Sequence, residues 1–154
     1  MTGSYLIVRR HPYEEPYHTE LEFEASNGHF TGSARFYCSV EDIGSIGRAL
    51  VPFPNNAPND TYDNAYGSDD PEDKLRQCFC LKFYTVGSLG HCAIQFKANL
   101  NSAEPDEGLC TFSIKAEPAA IRRLGLLFLT FGRLEHLELH WSPTGSCELY
   151  EDHQ

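Results

Sequence analysis

The sequence predicts an α+β fold: a single antiparallel β-sheet of about six to seven strands with two helices packed on one face, built from two strand-strand-strand-helix repeats. Three observations predict it. Apolar and polar residues alternate with a period of two through several short segments, the mark of half-buried strands. Two later segments switch to helical spacing, at 39–51 and 117–132. The two switches also echo each other: FYCSVEDIGSIGRAL at 36–50 resembles FSIKAEPAAIRRLGLLF at 112–128, with Phe36 against Phe112, Glu41 against Glu117 and, after a two-residue shift, Gly47 against Gly125.

The first repeat spans about 5–51. Residues 5–10 are β-branched and aromatic enough for a short strand, and Pro12 and Pro16 bracket a connection that cannot remain in a central ladder. In 17–25, Leu21, Phe23 and Ala25 share one face, and Glu20, Glu22 and Glu24 share the other. Asn27-Gly28 supplies the positive φ angles of a tight hairpin, so 30–38 should return antiparallel with Phe30, Ala34, Phe36 and Cys38 inward. Ser39 is placed to cap a helix whose inner face is Ile43, Ile46, Gly47 and Leu50, and Pro52 ends it. Glycine within a helix costs about 1 kcal/mol against alanine, so Gly47 and Gly125 mark expected close approaches of helix to sheet.

Residues 52–73 are rich in Pro, Asn, Asp and Gly and read as an exposed acidic loop joining the repeats. The second repeat spans about 76–132. Phe79, Leu81 and Phe83 face inward, with Cys78, Cys80, Lys82 and Tyr84 opposite. A glycine-rich turn at 87–90 leads to Cys92, Ile94, Phe96 and Ala98 inward, and then to Cys110, Phe112 and Ile114. Pro118 suits a first helical turn, where no amide hydrogen is required. A last strand at 137–141 and a polar tail complete 136–154. The sheet's other face is expected to be polar, the Glu20, Glu22, Glu24 row balanced by Lys82, Lys97 and Lys115.

The chain has 154 residues, 41% of them hydrophobic, enough for one domain over 1–154 with a shared core. Its start holds only four consecutive apolar residues, too few for a signal-peptide core or a membrane helix. Six cysteines without sign of an oxidising compartment are expected to be reduced thiols in the cytoplasm. The formal charge of −10 repels nucleic-acid phosphate and favours a basic protein partner; neither nucleic acid nor membrane is expected.

No catalytic pattern emerges. Cys78 and Cys80 share a strand face and could meet His91 across a strand pair, but the usual zinc spacings are absent. His29 and His91 each follow a glycine at a turn, without a nucleophile elbow nearby. Glu41 and Glu117 at the helix starts are explained by the helix dipole. The acidic residues near Asp63 and Asp69 do not follow the EF-hand order, and Gly44-x-x-Gly47 lies inside a helix rather than in a phosphate loop. No cofactor, metal or catalytic residue is assigned.

Phe30 to Gly32 (FTG), the FY-x3-ED start at 36–42, GSDDP at 67–71, LGHC at 89–92 and FSI-x-AEPAAIRRLG at 112–125 together resemble a group of small uncharacterised bacterial proteins. More distantly they are similar to the WapI-type immunity proteins, which protect a cell against the toxin domain of a polymorphic toxin. That resemblance implies a cytoplasmic, non-enzymatic binding protein, and no site residue carries over with it. The long acidic stretch and the extra cysteines depart from the pattern. From the residues themselves, the expected partner-binding surface is Glu20, Glu22 and Glu24 with the loop acids Asp60, Asp63, Asp69, Asp70, Glu72 and Asp73. Rival expectations are a small-ligand binder with a pocket between helices and sheet, and, last, a metal enzyme or hydrolase around His91, Cys78 and Cys80.

Overall fold

A computed structural model describes residues 3–55, 59–67, 78–145 and 147–154. The alternating segments form strands and the two helical segments form helices, in the order β1 (Ser4–His11), β2 (His18–Asn27), β3 (Thr31–Ser39), α1 (Val40–Leu50), β4 (Thr61–Gly67), β5 (Cys78–Val86), β6 (His91–Asn99), β7 (Leu109–Ala116), α2 (Pro118–Phe131), β8 (Glu138–Trp141) and β9 (Cys147–Tyr150). The α+β class holds. The single sheet does not: the strands divide into a five-stranded sheet, β3-β2-β1-β8-β9, and a four-stranded sheet, β4-β5-β6-β7.

Period-two alternation says only that each strand buries one face, which suits one broad sheet or two facing ones equally well. Long-range pairing decides between them. The strand that follows each helix crosses to the other repeat: β4 pairs with β5 through Asn64↔Leu81, and β8 pairs with β1 through Val8↔Leu139. Each sheet therefore contains three strands of one repeat and the fourth strand of the other, an internal exchange that ties both halves into one core. Phe23 of the first sheet packs on Phe79 of the second with ring centroids 5.0 Å apart, and Phe36 lies 5.1 Å from the same ring.

Strand β4 lies within the stretch expected to be loop. Its inward positions are Tyr62, Asn64 and Tyr66, with Asn64 buried, so the apolar alternation that marks the other strands is weak here. Phe30, expected inward, is 67% exposed, because it precedes β3 at the hairpin turn.

The duplication is more regular than the sequence echo. Ser39 and Glu117 are the two N-caps, and their separation of 78 residues also relates β3 to β7, Ile43 to Ile121, Gly47 to Gly125 and Leu50 to Phe128. No two-residue shift is needed, and Glu117 corresponds to Ser39 rather than Glu41. Equivalent residues meet at the pseudo-twofold axis. A Cβ on Gly47 would stand 2.9 Å from the Gly125 carbonyl oxygen, and one on Gly125 would stand 2.8 Å from the Val51 nitrogen. The glycines thus permit close approach of helix to helix, where close approach of helix to sheet was expected. Likewise, a Cβ on Gly32 would meet the Sγ of its counterpart Cys110 at 2.6 Å, where β3 lies against the second sheet.

The helix pair fills the remaining side of the core. Trp141 on β8, fully buried, donates its indole N–H to the Ala120 carbonyl at 2.9 Å, and Phe128 packs 6.4 Å from Phe23. Both outer sheet faces carry the polar half of their strands' alternation, and these faces hold the candidate functional residues.

Candidate binding surfaces

The outer face of the first sheet is a lattice of charged rows set by strand register. One row runs Arg35, Glu22, Arg9, Glu138 and Tyr150; the next runs Ser33, Glu24, Ile7, His140 and Glu148; a third holds Tyr37, Glu20 and His11. Glu20, Glu22 and Glu24 are therefore together on one surface, as expected. Their charge is not free. Arg9 reaches Glu24 at 3.1 Å and Glu22 at 3.4 Å, His11 meets Glu22 at 3.0 Å, and Arg35 pairs with Glu20. Burial pushes the Glu20 carboxyl up, but hydrogen bonds from Tyr37 and Arg35 outweigh it and hold it below the ordinary carboxylate range.

The lysines expected to balance this row are on the other sheet. Lys82, Lys97 and Lys115 share the outer face of β5, β6 and β7, where Lys82 stands opposite Gln95 and Lys97 opposite Thr111. The two polar faces thus have opposite character, acidic on the first sheet and lysine-bearing on the second. Alternation put all six side chains outward and could not show that they point away from each other.

The remaining predicted acids disperse. Asp63 is exposed on the edge strand β4, across from Lys82. The Asp60 carboxylate accepts the Thr61 amide at 3.0 Å, while the Asp60 amide donates to the Thr85 hydroxyl at 3.1 Å, so this residue closes a turn. Asp69, Asp70, Glu72 and Asp73 lie outside the described residues.

Two charged clusters were missed by sequence reading. Glu138 is 1% exposed, yet it accepts from His140 at 2.7 Å, from His153 at 3.0 Å and from the Gln154 amide at 3.2 Å, with Arg9 at 3.5 Å. Burial alone would raise its pKa; these donors overcome that and lower it. Arg10, 4% exposed, clamps both oxygens of Glu15 at 2.6 and 2.7 Å and the His136 carbonyl at 2.7 Å. Arg10 continues the buried face of Leu6 and Val8, where a charged residue is not expected, and its cluster closes only when the His136 carbonyl arrives from far along the chain; Glu138 likewise joins its near neighbour His140 to the distant Arg9 and the C-terminal His153.

At one end of the same face, Tyr13 and Tyr37 meet edge to face at 5.7 Å, beside Glu14 and His18, around a shallow cavity of about 360 Å3. Tyr13, Tyr37 and the adjoining Tyr17 are 57%, 64% and 75% exposed. β3, which carries Tyr37, is an edge strand of its sheet among the described residues.

Cys78, Cys80 and His91 do not converge. Cys78 pairs with Asn99 and Cys80 with Lys97, whereas His91 faces Val86 at the far end of the hairpin, roughly 20 Å along from Cys80 at strand rise. No group of three or more His, Cys, Asp or Glu is arranged to hold a metal among the described residues. Burial raises the Cys80, Cys92 and Cys110 thiols, and pushes Cys38 up to about 12, so these sulfurs remain protonated and weakly nucleophilic at neutral pH.

No protein-family model and no curated protein matches the chain. Among solved structures it is similar to the plant transcriptional regulator PBF-2, with a TM-score of 0.47 and 16% identity over 84% of this chain and 76% of that one. Among the described residues, no helix is long and apolar enough to cross a membrane.

Proposed function

We propose that this chain is a non-enzymatic, cytoplasmic protein-binding module, and that it serves as an immunity protein covering a basic toxin domain. The observation that carries the reading is the exposed tyrosine cluster of Tyr13, Tyr17 and Tyr37 set against the Glu20, Glu22, Glu24 row. Tyrosine rings offer large contact area with little rotamer entropy to lose, which is why they anchor protein interfaces. The adjoining acids favour a basic surface, and their existing arginine and histidine partners hold them in fixed positions.

Photo-crosslinking from a benzoylphenylalanine at position 37, in the cells that make the protein, tests this. The expected outcome is one adduct with a basic protein domain, weakened as salt rises and lost when Tyr13 and Tyr17 are both changed to alanine. Absence of any adduct, or a yield indifferent to those tyrosines, removes the tyrosine face as the binding surface.

A further inference from the structure

A second site lies on the opposite sheet. Where the outer faces of β5, β6 and β7 meet the start of α2, a cleft of about 550 Å3 opens between Tyr84, Val86, Ala93, Ser113, Lys115 and His91. This is within the ordinary size of a small-molecule site, about 300–1,000 Å3. It exists because Ala93 presents only a methyl group at a register position flanked by Tyr84 and Lys115. Larger side chains on both neighbouring strands leave a depression over that methyl.

The polar groups around the cleft are few and fixed. The Tyr84 and Ser113 hydroxyls hydrogen-bond at 3.0 Å, so the tyrosine ring lies across β6 as one wall. His91 donates from Nδ1 to the Glu117 carboxylate at 2.9 Å, which fixes the ring at the mouth of the cleft. Glu117 is thereby engaged by a donor of its own. Lys115 is exposed at the rim and makes no ion pair among the described residues, in a protein whose acids outnumber its bases by ten.

We infer that this cleft binds a small acid with an apolar body, a monocarboxylate or monophosphate whose charge meets Lys115 and whose body rests on Val86 and the Tyr84 ring above Ala93. The apolar walls supply affinity by burial, and the ammonium selects the anionic head. The site is separate from the tyrosine face and does not depend on it.

Titration of 15N-labelled protein with benzoate, phenyl phosphate and the neutral benzyl alcohol, followed by two-dimensional NMR, tests the inference and distinguishes the two head groups. At least one anion should give saturable shifts at Val86, Ala93, Ser113 and Lys115. Lys115→Gln, an exposed substitution with an otherwise unchanged spectrum, should weaken that anion by about tenfold while leaving any benzyl alcohol binding unaltered. Ala93→Leu should fill the cleft and abolish saturation by all three. The inference is overturned if neither anion saturates, if benzyl alcohol binds as well as both anions, or if Lys115→Gln binds the anion unchanged.

Discussion

Gly44 and Gly125 invite the same substitution and should answer with opposite signs. In an exposed helix interior, alanine is favoured over glycine by about 1 kcal/mol because it restricts the unfolded chain. At Gly44 a new Cβ would approach only the Arg48 side chain, its nearest atom the guanidinium Nη1 at 3.0 Å, and that flexible group can swing away. Gly44→Ala should therefore gain roughly 0.5–1 kcal/mol. At Gly125 the new atom would meet the Val51 nitrogen at 2.8 Å, Leu50 Cβ at 3.0 Å and the Leu50 carbonyl carbon at 3.1 Å. None of these can rotate away, so the helices must separate, disturbing the packing of Leu124 and Phe128 beneath them. Overpacking of this kind costs about 3 kcal/mol, leaving a net loss of roughly 2 kcal/mol after the helix-propensity gain. For a chain of this size that is about 4–8 °C in Tm, against a rise of roughly 1–4 °C for Gly44→Ala. Thermal unfolding followed by the fluorescence of Trp141, the chain's one tryptophan, measures both variants. An unchanged or raised Tm for Gly125→Ala would refute the close helix crossing as the reason for glycine there.

Two other outcomes follow from the charged and sulfur groups. Glu138→Gln should cost roughly 2 kcal/mol at neutral pH through weakened charge-assisted hydrogen bonds. Because the folded pKa of Glu138 lies below an unfolded value near 4.3, its stabilisation is complete above that value and disappears as pH falls through the folded pKa; urea titrations should show the gap between wild type and variant closing in acid, and a gap that is constant with pH would contradict it. Cys38, pushed up to about 12 chiefly by burial, carries about one thiolate in ten thousand at pH 8. Mass spectrometry should find it unmodified after iodoacetamide treatment of native protein and alkylated in guanidinium; rapid native labelling would show that the site opens.

Much of the local structure was legible in the residues. Leu21, Phe23 and Ala25 alternate because a strand presents every second side chain to one face, and all three are buried. The hairpin after β2 forms where expected, but its central residues are Gly28 and His29, not Asn27 and Gly28, and of the expected pair only Gly28 has a positive φ, 91°. Pro118 begins α2 where no amide hydrogen is required. The candidate surface was legible only in pieces. Glu20, Glu22 and Glu24 could be placed side by side, but their pairing with Arg9, Arg35 and His11 requires knowing which strand lies next to which. The cleft over Ala93 was invisible, since a small residue at an outward strand position has no meaning until its cross-strand neighbours are known.

The sequence by itself determined the class of fold, both helices, the hairpins and the duplication, because each follows from interactions between residues close along the chain. Tertiary structure alone decided that there are two sheets, that β4 and β8 cross between the repeats, and that the acidic and lysine-bearing faces point apart. Those outcomes depend on contacts between distant segments, such as Leu139 with Val8 and Gly47 with Gly125. A period of two records that a strand has an inside and an outside; only the packed core fixes which strands share that inside.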